Sequence, residues 1–190
     1  MAQSAVDVSN NALQRVGAAR ITALTDPTPE ARACSTAFDA TRRSALRRYP
    51  WNFAITRAVL APDTTTPTAV AQEFTYQFSL PADCLRVLRP NTPGLDWKIE
   101  GRKLLTNDGD TVYLRYIADI EDVAAWDSAF YEVFAAALAL RLRERLTSSN
   151  AKMAALKDEY KDAVAEARRA DAFESGPDEA PEDDWLVARY

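Results

Sequence analysis

Apolar side chains recur along this chain with two different periods, and the change of period divides it. Val6, Leu13 and Val16 share a face if Ala5 to Val16 is helical, and Gly17 is placed to end such a helix. The run Thr25-Asp26-Pro27-Thr28-Pro29 predicts a turn into a second helix. Thr28 is its cap, Pro29 takes its first position and Glu30 faces the positive end of its dipole. That helix is expected from Pro29 to Tyr49, where Pro50 stops it. Its apolar stripe is Cys34, Phe38, Ala45, Leu46 and Tyr49.

From Trp51 to Asp119 the helical period is lost. Residues 62–67 are rich in Thr and Pro and read as a loop. Phe74, Tyr76 and Phe78 alternate with polar neighbours, as a half-buried strand requires, and Leu85 to Leu88 is a second candidate strand. Trp97 to Leu105 and Thr111 to Ile117 flank Asn107-Asp108-Gly109-Asp110, whose Asp-Gly pair is a hairpin signal. After Trp126 helical spacing returns. Asp127 or Ser128 caps a helix carrying Phe130, Val133, Phe134, Ala137, Leu138, Leu142 and Leu146, which ends near 147–150. Met153, Leu156, Tyr160, Val164 and Ala167 mark a fourth helix, and the short connection makes the last two an antiparallel hairpin.

The expected fold class is therefore α+β, mainly α. It is an antiparallel bundle of about four amphipathic helices with a small inserted antiparallel sheet of hairpins and an extended acidic C-terminal arm. The expected division is 1–60 for the first half of the bundle, 61–122 for the β insertion, 123–173 for the second half and 174–190 for the arm. Residues 174–184 hold six carboxylates and no basic residue, so they bury little and are expected to be extended or disordered in the isolated chain. Trp185, Leu186 and Tyr190 beyond them could dock on a neighbour and fold on binding.

Composition narrows the chemistry. The 190 residues are 47% hydrophobic and 27% charged, enough apolar material for a core, and no apolar stretch is long enough to predict a membrane span. The N-terminus lacks a basic region followed by an apolar run, so no signal peptide is expected. The chain contains no histidine, which removes histidine-dependent triads and ordinary zinc-hydrolase sites. Cys34 and Cys84 match no metal spacing and read as small buried hydrophobes in a reducing compartment. No glycine-rich phosphate loop is present among five glycines. No cofactor, metal or catalytic residue is predicted.

Five arginines (Arg42, Arg43, Arg47, Arg48 and Arg57) fall between Thr41 and Leu60 with no carboxylate among them. At 100° per residue Arg43 and Arg47 point away from the Phe38/Leu46 stripe, whereas Arg42 falls inside it. Arg42 is therefore expected to be an internal tie to a carboxylate or to helix-end carbonyls, and Arg43 and Arg47 to be surface or interface charges. Asp119, Glu121, Asp122 and Asp127 crowd one loop without the spacing of a calcium site and read as a solvated linker.

The run Arg42, Leu46, Pro50, Trp51, Asn52, Phe53, Ala54 and Arg57 resembles the central signature of the tail tubular protein A family, the head-to-tail adaptors of short-tailed bacteriophages. Ala12 to Thr22 looks like the opening helix and turn of that family, Leu80 to Val87 its strand start, Trp97 to Leu105 its hairpin, Leu114 to Ile117 its exit strand, and Glu166 to Ala172 its closing helix. The resemblance covers residues 5 to 173. It implies a structural virion protein of the tail or neck, assembled in the host bacterial cytoplasm. It further implies a homo-oligomer, a dodecameric ring between the portal protein and the tail nozzle protein, with double-stranded DNA passing through unbound. Alone, such a chain is compatible with a monomer. A net charge of -5 agrees with a channel that must not hold DNA. Arg43, Arg47, Trp185, Leu186 and Tyr190 are then the subunit or portal contacts, with Arg43 or Arg47 meeting a neighbour's acidic arm. Trp51, Asn52 and Phe53 are expected to shape the corner where helix meets sheet, Asn52 satisfying exposed backbone groups. Two other classes remain open: a peptidoglycan-active tail component using carboxylates, and a DNA-binding packaging factor using the arginine segment.

Overall fold

The computed structural model describes residues 4–65, 70, 73–90, 94–109, 111–146 and 150–174, the side chains of 144–146 and 150–152 excepted. Four helices and six strands follow in the order α1 (Ala5–Val16), α2 (Pro29–Arg48), β1 (Ile55–Leu60), β2 (Tyr76–Ser79), β3 (Cys84–Pro90), β4 (Trp97–Glu100), β5 (Lys103–Thr106), β6 (Val112–Ala118), α3 (Ser128–Leu146) and α4 (Asn150–Phe173). The class is α+β. Among the described residues no helix is long and apolar enough to cross a membrane.

Local chemistry sets the helix ends. Ser4 accepts from the Asp7 N–H at 3.1 Å to start α1, and Gly17 ends it at φ 78°, a left-handed position that suits glycine. Thr28 accepts from the Ala31 N–H at 3.2 Å ahead of Pro29. Asp127, rather than Ser128, caps α3, accepting from the Ala129 N–H at 2.8 Å and the Phe130 N–H at 3.3 Å. α2 stops at Arg48, one residue short of the expected Tyr49, because the residue before Pro50 is pushed out of the helical region.

α3 packs against α1, α2 and α4 at once. Phe130, Val133, Phe134, Ala135, Ala136, Leu138, Ala139 and Leu142 are all buried, so it is apolar on most sides and lacks the single stripe the sequence reading expected. Ala135, Ala136 and Ala139 explain the difference. Small side chains let neighbouring helices approach on faces that a larger polar residue would keep open. α1 is closed onto its following loop by Asn10, whose side chain donates to the Ile21 carbonyl at 2.9 Å and accepts from the Ile21 N–H at 2.8 Å. Arg15 reaches from α1 to Glu132 on α3 and, at 2.9 Å, to Glu159 on α4.

The strands form two three-stranded antiparallel sheets, β1-β6-β3 and β2-β5-β4, where the sequence reading expected one small sheet. The expected hairpin across 107–110 is not made. β5 pairs with β4 through the turn at Gly101 (φ 57°), while β6 joins the other sheet. Residue 107 is instead held sideways, its side-chain oxygen accepting from the Thr75 N–H at 2.9 Å. The ring of Tyr76 covers Gly109, where a Cβ would lie 2.5 Å from a ring carbon. That seat also takes Tyr76 out of the buried face predicted for Phe74, Tyr76 and Phe78. Tyr76 is exposed and Gln77 is buried, bonding the Thr65 carbonyl at 3.1 Å. Leu60, Val112, Leu114 and Tyr116 of the first sheet share a second core with Phe78 and Leu104 of the other. Arg102 clasps the turn before β3, donating to the carbonyls of Pro81 and, at 3.2 Å, Ala82. Ile117 on the other face of the first sheet joins the helical core.

Candidate functional site

The residues singled out in the sequence converge on the corner where α2 gives way to β1. Leu46 is fully buried, Pro50 breaks the helix, and Trp51 turns inward to 3% exposure. The Trp51 indole N–H donates to the Ala45 carbonyl at 3.1 Å, so one of the last free carbonyls of α2 is satisfied by a side chain. Its ring meets Tyr49 at 4.9 Å and Phe130 at 5.4 Å, edge to face. Phe53 lies 5.0 Å from the same Phe130 ring. Asn52 opens a short 3-10 turn over Asn52–Ala54 and ties it to the end of α4. Its backbone N–H donates to the Asp171 carboxylate at 2.8 Å and its side chain to the Asp171 carbonyl at 2.7 Å. Burial and the nearby charges of Glu174 and Asp127 outweigh that hydrogen bond and raise the Asp171 carboxyl above its ordinary value.

Arg42 is 4% exposed. Its guanidinium holds Asp119 at 2.9 and 3.2 Å, Asp39 at 2.7 Å and Glu121 at 3.4 Å. Of the two kinds of partner the sequence left open, carboxylates are the ones present. Burial works to lift the Asp119 carboxyl, but hydrogen bonds from Arg42 and Arg43 prevail and hold it below the ordinary carboxylate range. Burial likewise opposes the Arg42 charge, and its carboxylate partners more than restore it.

Arg43 and Arg47 are exposed, as their helical angle predicts, yet both are engaged within the chain. Arg43 donates to Asp119 at 2.8 Å. Arg47 donates to the Leu85 carbonyl on β3, and Arg86 returns a bond to the Arg47 carbonyl at 3.3 Å. Arg48 bonds the Tyr160 hydroxyl at 2.7 Å on α4. Arg57 stands apart from this group, exposed on β1. Trp185, Leu186 and Tyr190 lie outside the described residues.

The acidic run after β6 is also occupied by structure. Asp119 and Glu121 face Arg42, Asp122 caps a short turn by accepting from the Ala124 N–H at 2.9 Å, and Asp127 caps α3. This replaces the solvated linker expected from sequence for Asp119, the one member that is buried, with a side-chain exposure of 8%. Cys34 and Cys84 are buried and unpaired, and burial pushes the Cys34 thiol up to about 11. A cavity of about 550 Å³ opens between α2, α3 and α4, and its lining includes Ala33, Ala37, Leu140, Arg141, Met153 and Lys157.

Sequence reasoning missed two features of the corner. The Asn52–Asp171 bond joins residues 119 apart, and no local pattern announces it. The cross-strand alignment of Arg57 with Arg115 depends on the β1–β6 register, which the sequence does not fix by itself. Compared with known proteins, the chain matches no family model and no curated protein.

Proposed function

We propose that this chain is a structural adaptor of the virion, a ring-forming connector between portal and tail nozzle through which DNA passes. The observation that carries the reading is the fate of the motif's polar atoms. Arg42 is bound to Asp119, the Trp51 indole to Ala45, and Asn52 to Asp171. Arg57 is the one polar member left outside, exposed on β1; a motif whose other donors are consumed internally builds a rigid corner between helices and sheets, which is what an assembly module needs and what a reacting site does not. The resemblance over residues 5 to 173 supplies the particular assembly: a helical bundle with a β insertion, twelve copies to a ring; the acidic C-terminal arm lies beyond it and is read from composition alone. The arm's carboxylates and a net charge of -5 suit a channel that repels phosphate.

Neither rival class is favoured by an observation of equal weight. The carboxylates that a glycosidase would need from the 119–127 run are paired or capping, and four of the five arginines of residues 41–60 are held by intrachain partners. The deciding experiment is reconstitution with purified portal, read by native mass spectrometry and electron microscopy. Rings of twelve copies on the portal are expected. Absence of the chain from mature particles, or turnover of a cell-wall substrate by the purified protein, overturns the proposal.

A further inference from the structure

Three arginines stand in one row across the first sheet. Arg57 on β1 is in register with Arg115 on β6, and Arg115 with Arg89 on β3. Residues in register share a face, so the three guanidinium groups project together, and like charges directly opposite repel. Among the described residues none has a hydrogen-bond or ion-pair partner, and the buried Nε of Arg115 has no acceptor there. Val59 and Tyr113, the next pair along the same face, are 64% and 57% exposed. The face is thus a cationic bar beside an apolar pair, a combination that calls for an anionic strand carrying hydrophobic groups next to its charges.

We propose that this face is the docking surface for the chain's own C-terminal segment, residues 174–190, with the acidic run 174–184 across the arginine row and the apolar run 185–190 against Val59 and Tyr113. The chemistry is complementary: six carboxylates without a base, then Trp185, Leu186, Val187 and Tyr190, with Arg189 the single cation of the segment. The reach is sufficient. Asp171, near the end of α4, is bonded to Asn52, five residues before Arg57 along the chain. Five extended residues cover at most ~18 Å and ten cover roughly 33 Å, while the row spans three strands spaced about 4.8 Å apart. Residues 175–184 are therefore long enough to arrive at the row and cross it. Arg43 and Arg47, the partners expected for such an arm, each already donate to one acceptor within the chain. The inference stands on charge, register and reach and is independent of the adaptor reading.

Substituting Arg89→Lys in the full chain keeps the positive charge and places a primary amine in the row. Zero-length carbodiimide coupling followed by peptide mass spectrometry is then expected to join position 89 to a carboxylate within 174–184. The yield is expected to be about tenfold above that of links from the exposed Lys157 to the same segment, because the tether holds the partners at high local concentration. Arg57→Lys is the second site and is expected to behave the same way. In a mixture of ordinary and 15N-labelled protein the links fall within single chains, and ~1 M salt suppresses them. Links predominantly between labelled and unlabelled chains overturn the proposal in favour of a neighbouring copy. Absence of links at both positions while native lysines react overturns it outright. So does salt-sensitive binding of double-stranded DNA that is lost in R57E and R89E, since the row would then be a phosphate surface.

Discussion

Asp119, the residue after β6, accepts hydrogen bonds from the buried guanidinium of Arg42, 77 positions earlier on α2. This pair fastens the sheet to the helix, and its surroundings decide what its loss costs. Arg42 is left with only the exposed Asp39 and Glu121 if Asp119 is removed, whereas Asp119 keeps Arg43 if Arg42 is removed. Asp119→Leu is therefore expected to destabilise the protein by about 3–5 kcal/mol and Arg42→Met by less, about 1–3 kcal/mol. The double variant should recover most of that, because two apolar side chains no longer strand a charge. Urea unfolding followed by circular dichroism measures all three. A double variant worse than Asp119→Leu alone would refute this account of the pair.

The same pair sets an acid limb. The Asp119 carboxyl lies lower in the fold than in the unfolded chain, so its stabilising contribution is complete above the unfolded value of about 3.9 and disappears as pH falls through the lower folded value. Asp171 has the opposite sign. Its carboxyl is raised in the fold, so stability rises as pH falls through that raised value and levels off below the unfolded one. Urea midpoints between pH 7 and pH 2 should show a steep loss below about pH 4 in the natural chain. The loss is expected to be shallower in Asp119→Asn. Asp171→Asn keeps an oxygen for the Asn52 N–H and should be neutral or stabilising at pH 7, with no gain on mild acidification.

Trp51 allows packing and hydrogen bonding to be separated. Trp51→Phe preserves an aromatic ring against Phe130 but leaves the Ala45 carbonyl without its donor, for an expected cost of about 1–3 kcal/mol. Trp51→Ala also empties the corner and should cost about 3–5 kcal/mol. Equal losses in thermal or urea unfolding would mean that the indole N–H contributes nothing.

Much of this molecule was legible because its signals are local. Thr28 and Pro29 start α2, Pro50 stops it, Gly17 closes α1, and the period of three and four marks Leu156 and Ala167 as buried. Arg42 was legible as an internal tie from its angle alone. What escaped depends on contacts between distant segments. Asp108-Gly109 carries the stronger local hairpin signal, yet Gly101 makes the turn, inside the Trp97 to Leu105 hairpin that only the resemblance implied, and Thr75 and Tyr76 hold residues 107–109 against β2. The arginine row needed the β1–β6–β3 register, which no single strand encodes. α3 reads as amphipathic because alanine weighs little in a periodicity argument, although three of its alanines are fully or almost fully buried.

Arg43 and Arg47 offer a test that separates assembly from folding. Both side chains are exposed, and among the described residues each donates one hydrogen bond, to Asp119 and to the Leu85 carbonyl. Exposed contacts of this kind contribute little, so Arg43→Ala and Arg47→Ala should each cost less than about 1 kcal/mol. Asp119 retains Arg42 in the first case, and Arg86 still joins β3 to the Arg47 carbonyl in the second. On the adaptor proposal the same guanidinium groups meet carboxylates of the portal or a neighbouring subunit, where a desolvated arginine is often a principal contact. The double variant is then expected to fold normally and to bind purified portal at least about tenfold more weakly by biolayer interferometry. Unchanged portal binding by a folded double variant would assign both arginines to holding α2 against the sheet and nothing more.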